Sequence, residues 1–224
     1  MHMRDAFHDE LDKVSDDLVE MTTMVGAAMQ RATRALLDAD LTAAESVIAA
    51  DDDIDALRRE VDDRAVDLLA RQQPVATDLR MVVTAMHMAS DIERMGDLAR
   101  HVAKAARRRY PDGAVPAQLH GTIGRMAHVA DRLVTATGKA IADKDVQGAV
   151  EIDRIDNEMD DLHRAIFAEL LGHTWDHGTE AAVDTTLISR YYERFGDHAV
   201  AVAGRIVYLV TGRYGSSVEG LARR

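Results

Sequence analysis

The chain has 224 residues, 47% of them hydrophobic, with 39 acidic against 27 basic side chains and a formal charge of −12. That apolar content excludes wholesale disorder, and the summed negative field argues against a nonspecific nucleic-acid binder. With no cysteine, disulfides and thiolate metal sites are excluded, so any metal must be held by oxygen or imidazole.

A first helix is predicted over residues 6–37, where Leu11, Val14, Leu18, Met21, Val25, Ala28, Met29 and Ala32 recur at three- and four-residue spacing, the period of an amphipathic helix. A second follows over 41–71 through Val47, Ile54, Leu57, Val61, Ala65 and Leu68, and Gln72-Gln73-Pro74 ends it. The third, over 75–109, is apolar on most sides and is expected to be the most buried. Its last turn carries Arg107, Arg108 and Arg109, read as cations opposing the helix dipole. The segment from Tyr110 to Pro116, with Pro111 and Gly113 inside it, concentrates the turn signals near the middle of the chain. It sets a first unit at 1–110, a linker at 111–116, a second unit at 117–212 and a tail at 213–224, expected to be frayed.

In the second unit helices are predicted over 117–142, 146–171 and 179–211, with a loop at 172–178. No β-rich alternating run is present. With 4% aromatics and alanine, leucine and methionine carrying the core, the expected fold is all-α: two tandem three-helix bundles. No run approaches the ~20 apolar residues of a membrane span, and the start has no apolar signal core, so the cytoplasm is the expected compartment.

The two units share a motif. Glu93-Arg-Met-Gly-Asp97 returns one hundred residues later as Glu193-Arg-Phe-Gly-Asp197, with Val83, Val102 and Ala103 matching Val183, Val202 and Ala203. Upstream the offset is 105, pairing Asp51 and Asp55 with Asp156 and Asp160. A shorter connecting loop in the second unit is the expected source of the five-residue difference.

Residues four apart on a helix share a face. Glu93 and Asp97 fall on the face of Leu79, Val83 and Met86, and Asp51 and Asp55 fall in line with Val47, Ala65 and Leu69. Neighbouring antiparallel helices would bring such pairs together, and four facing carboxylates repel and raise their own pKa values unless a cation neutralises them. Arg94 and Arg194 point about 100° away from their glutamates and are expected to be poor counterions. A metal cluster is the sharper expectation: carboxylates suit iron, manganese, magnesium or calcium, and an imidazole widens the set to zinc. His101 shares the face of Asp97, whereas Ala201 takes its place in the second unit. The competing expectation is that the pairs are solvated or ion-paired faces, which is how Asp52, Asp53, Asp62, Asp63 and Asp161 are read. Gly96 and Gly196 are expected to admit a neighbouring helix or ligand. No nucleophile triad, phosphate loop or nucleotide fingerprint is present.

The twin motifs, together with Asp51-Asp-Asp-Ile-Asp55, Asp156-Asn-Glu-Met-Asp160 and Arg71-Gln-Gln-Pro-Val-Ala-Thr-Asp-Leu-Arg80, closely resemble the PhoU family over about residues 5–212. The resemblance implies one three-helix bundle per repeat, with acidic motifs on the second and third helices that bind multinuclear iron or zinc clusters. By position the ligands would be Asp51, Asp55, Glu93 and Asp97, then Asp156, Asp160, Glu193 and Asp197. It implies a regulator of phosphate uptake and not a catalyst. Such a protein would link a phosphate ABC transporter to a sensor histidine kinase and hold the kinase in its signal-off state when phosphate is plentiful. A homodimer is the expected state. The second repeat departs from the first in lacking the Gln-Gln-Pro turn and in carrying a loop with Trp175.

Two other functions remain open on the residues alone. A di-metal oxidase or hydrolase of helical-bundle type would want Glu-x-x-His motifs, but Glu93 leads to Gly96 and Glu193 to Gly196, and Asp160-x-x-His163 is the nearest approach. A metal-free scaffold would instead present its acidic faces to basic partners.

Overall fold

The computed structural model describes residues 3–173 and 175–213. Six long helices follow in order: α1 (Met3–Leu37), α2 (Leu41–Gln72), α3 (Thr77–Arg109), α4 (His120–Asp143), α5 (Val146–Leu170) and α6 (Gly178–Thr211). A one-turn 3-10 helix, Ala117–Leu119, leads into α4, and no strand occurs among the described residues. The expected tail lies outside the described residues from 214 onward.

The repeat is written into the turns. Between α1 and α2, Ala39 takes a positive φ of 51° and the Asp40 carboxylate accepts a hydrogen bond from the Ala43 N–H. Between α4 and α5, Lys144 takes 49° and the Asp145 carboxylate accepts from the Gln147 N–H. In both turns one left-handed residue stops a helix, and the aspartate after it satisfies a free donor of the next.

The five-residue slip has a different origin from the expected one. It comes from α5, which has 25 residues against 32 in α2. The loop after it is longer, residues 171–177 against 73–76 in the first unit. Val75 and Ala76 stay outside α3 because Ala76 takes φ 51°, a conformation that cannot continue a right-handed helix.

Each unit is a three-helix bundle, and the two are packed side by side through α1 against α4 and α3 against α6. Both contacts run antiparallel: Gln30 meets Asp131 and Thr22 meets Gly138, while Arg108 meets Asp184 and Arg205 meets Asp91. The four inner helices each touch three others and α2 and α5 lie outside, so α3 shares its buried position with α1, α4 and α6. One core runs through the molecule, from Leu18, Met21 and Met95 in the first unit to Leu133, Ile152 and Phe195 in the second. Side chains of this kind are worth about 1.5–3 kcal/mol each when fully buried. Tyr192 is completely buried, and its hydroxyl shares a 2.7 Å hydrogen bond with that of Thr33 across the two units.

The arginines at the end of α3 do more than oppose a dipole. Arg108 and Arg109 both pair with Asp184, which is 4% exposed, and Arg109 reaches Glu180 at 2.5 Å. Near the opposite end of the α3/α6 contact, Asp91 is held by Arg205 at 2.6 Å and His198 at 3.2 Å. Burial pushes the Asp91 carboxyl up, but these two partners outweigh it and hold it below the ordinary aspartate range.

α1 and α4 approach closely where Gly26 faces Val134: a Cβ on Gly26 would stand 2.9 Å from Val134 Cγ1. Gly26→Leu is therefore expected to lower stability by about 1–3 kcal/mol through overpacking. Urea denaturation checks this, and an unchanged midpoint would contradict the close crossing.

Candidate metal centres

Antiparallel packing of α2 on α3 sets Asp51 and Asp55 beside Glu93 and Asp97, and α5 on α6 does the same for Asp156, Asp160, Glu193 and Asp197. Burial, and then the neighbouring carboxylates, push up Asp51 and Glu93 in the first quartet and Asp156 and Glu193 in the second, so the acidic pairs of adjacent helices lie within electrostatic reach of each other. Among the described residues no three His, Asp or Glu side chains close around a common point. Each quartet is a spread of repelling carboxylates.

In the first quartet the sharpest feature is one the sequence reading missed. Arg100 on α3 bridges the two helices, with Nη1 on Asp51 Oδ2 and Nη2 on Asp97 Oδ1. Asp51 is only 4% exposed. Its burial pushes the carboxyl up, Arg100 pulls it back, and Asp55 and Asp97 push it up again, leaving it above the ordinary range. Arg94 corrects the wheel argument, since its Nη1 reaches Asp97 at 2.8 Å and its Nε stands 3.7 Å from Glu93. The angle between Cβ atoms does not limit a side chain this long. Glu93 is nonetheless raised, by burial and then by Asp97, with Arg94 opposing.

The second quartet lacks this neutralisation. Val200 stands at the position of Arg100. Asp156 Oδ1 is buried without a hydrogen-bond partner among the described residues. It lies against the backbone of α6, in the space a Cβ on Gly196 would occupy. Its carboxyl is pushed up to about 7, first by burial and then by Asp160, Asp197 and Glu193. Glu193 is raised by burial and Asp197 despite an ion pair from Arg190, and its Oε2 is also buried without a hydrogen bond. Gly96 takes a different guest: the atoms nearest its missing Cβ are Ile54 Cδ1, at 3.1 Å, and Val25.

The orphaned oxygen of Asp156 against a glycine cradle, with three further carboxylates nearby, offers oxygen donors of the kind a hard multivalent cation takes. The imidazoles nearby have other partners. His101 stacks on Tyr191 of α6 at 5.2 Å between ring centroids, and His163 Nδ1 lies 3.0 Å from Ser189 Oγ. Burial lowers the pKa of both histidines.

The apolar stripe on the carboxylate face of α3 is a surface feature. Leu79 is 41% exposed and Val83 39%, with Val183 at 52% and Leu187 at 39% in the second unit. On α2, by contrast, Val47 and Ala65 are buried, so each quartet sits where a core seam meets the surface.

The protein is of the class built on a twice-repeated three-helix scaffold, with a carboxylate quartet between the second and third helices of each unit. The chain matches the PhoU domain over residues 18–106 and again over 123–206. It is 47% identical over 212 residues to phosphate-specific transport system accessory protein PhoU homolog 2 of Mycobacterium tuberculosis, covering 95% of this chain and 100% of that protein. PhoU homolog 1 of Mycobacterium leprae is 44% identical over 212 residues, covering 95% and 96%. The fold superposes on the crystal structure of PhoU from Pseudomonas aeruginosa with a TM-score of 0.86 at 29% identity, over 92% of this chain and 100% of that one. For the phosphate transport system regulatory protein PhoU from Streptococcus pneumoniae the TM-score is 0.84 at 26% identity, over 94% and 99%. The chain belongs to the PhoU family, and as a member of a regulatory family it is not an enzyme.

The raised Asp156 has a consequence for stability. Between the ordinary aspartate range and about 7 the folded chain binds a proton there that the unfolded chain does not, so stability falls as pH rises through that interval. In chelator-stripped protein, Asp156→Asn is expected to match wild type near pH 4. At pH 8 it should exceed wild type by about 1–2 kcal/mol, a value reduced for the site's partial exposure. Urea titrations at both pH values check this, and a pH-independent difference would contradict it.

Proposed function

We propose that this chain regulates phosphate uptake and phosphate-starvation signalling as a cytoplasmic helical adaptor. One partner is a phosphate ABC transporter, through its ATPase, and the other is a sensor histidine kinase, kept in its signal-off state when phosphate is plentiful. The observation that carries this reading is the near full-length match to accessory proteins named for a phosphate-specific transport system. Among the described residues no helix is long and apolar enough to cross a membrane, in keeping with action through membrane-bound partners.

The same proposal includes metal. Asp51, Asp55, Glu93 and Asp97 in the first unit, and Asp156, Asp160, Glu193 and Asp197 in the second, are the residues that would hold it. Iron or zinc is favoured, with magnesium, manganese or calcium as other oxygen-seeking choices. A bound cation would offset the mutual repulsion of the carboxylates and stiffen the seam between the helices that carry them. The orphaned Asp156 oxygen over Gly196 supports this part. A homodimer completes the proposal, and the exposed Leu79, Val83, Val183 and Leu187 provide apolar surface for an interface.

Deleting the gene in its own host is expected to raise transcription of phosphate-starvation genes during growth on abundant phosphate. Transcript measurements in deleted and complemented strains check this, and unchanged expression would contradict the regulatory role.

A further inference from the structure

We propose that Arg100 is a built-in counterion that closes the first quartet to metal, so that the second quartet is the chain's principal cation site. This inference rests on the metal reading above and divides it between the two units. The observation behind it is a substitution at equivalent positions. Counting one hundred residues on, Arg100 becomes Val200, while Glu93 and Asp97 are retained at that offset and Asp51 and Asp55 at 105.

Arg100 is placed to act as an internal cation. Its two terminal nitrogens take one carboxylate from each helix, Asp51 from α2 and Asp97 from α3, and so span the gap a metal would bridge. Its side chain is 27% exposed, so it reaches its partners from within the seam. Arg94 adds a second guanidinium on Asp97. The contact with Asp97 is a charge-assisted hydrogen bond and that with Asp51 a close ion pair, and both place positive charge where a metal would compete for the same carboxylates. An entering ion would have to break both Arg100 contacts and leave that cation beside it, with the repulsion this entails.

The second unit has no such bridge between its helices among the described residues. Val200 offers no charge, and Arg190 and Arg194 act on Glu193, the first through an ion pair. Among the described residues no lysine or arginine forms an ion pair with Asp156, Asp160 or Asp197. Here the oxygen of Asp156 rests on Gly196, whereas in the first unit the corresponding glycine is covered by Ile54 and Val25. Asp51 and Asp156 each carry a buried oxygen without a hydrogen bond among the described residues, but in the first unit that oxygen, Asp51 Oδ2, is in ion-pair contact with an arginine, and in the second no lysine or arginine pairs with Asp156.

The test uses full-length, chelator-stripped protein titrated separately with Zn2+ and with ferric iron, with bound metal counted by elemental analysis after gel filtration and melting temperature recorded in parallel. Asp156→Asn is expected to weaken binding by about ten-fold or more, while Asp51→Asn leaves it near wild type. Arg100→Val, or Arg100→Gln should the valine variant fail to fold, is expected to raise bound metal about twofold by opening the first quartet, and Val200→Arg to depress it. Equal losses in Asp51→Asn and Asp156→Asn, or unchanged metal content in both Arg100 variants, would overturn the inference while leaving the metal reading intact. Absence of either metal from every variant, Arg100→Val included, would overturn both.

Discussion

Like charges facing each other across a helix–helix seam are the constraint around which this molecule is arranged. Two antiparallel helices that each place carboxylates four residues apart on one face bring four negative charges together once they pack. The seam stays closed only if burial elsewhere outweighs the repulsion or a cation removes it. Both solutions occur in this chain. The core beneath the seams is continuous across both units, and in the first unit Arg100 provides the cation from within. In the second unit no arginine bridges the helices among the described residues, and burial with the neighbouring carboxylates pushes the Asp156 carboxyl up.

The duplicated architecture explains how the two halves came to differ without losing the fold. The one-residue turns at Ala39 and Lys144, each followed by a capping aspartate, hold α1–α2 and α4–α5 in the same geometry. Ion pairs between α3 and α6 then lock the halves together, at Asp184 toward one end and Asp91 toward the other. With the frame fixed by these contacts, one side chain such as residue 100 or 200 can change the charge of a seam and leave the helices where they are.

Much of this was legible in the residues. Helical periodicity, the three prolines and the central turn locate all six helices to within a few positions, because amphipathic spacing and chain breakers act locally. The pairing of the acidic motifs also follows from spacing once antiparallel neighbours are assumed. Arg100 was not legible in the same way. Angle around the helix sets Arg94 apart from Glu93, whereas arginine's length lets Arg94 and Arg100 reach Asp97 along the axis and Arg100 cross to α2. An arginine three residues after Asp97 on the carboxylate face was the available signal. The guests of the two glycines depend on tertiary packing alone, so nothing near Gly96 or Gly196 in the sequence distinguishes Ile54 from Asp156 as the neighbour. The stripe of Leu79 and Val83 misled for a related reason. Apolar residues in register with a charged pair mark a shared face, and whether that face is covered is decided by other helices.

Anomalous diffraction from crystals of the full chain soaked in zinc puts the central claim to its most direct test. Density bounded by Asp156, Asp160, Glu193 and Asp197, with Arg100 still seated between Asp51 and Asp97, is the predicted result. Density in the first quartet with Arg100 displaced, and none in the second, would contradict the account.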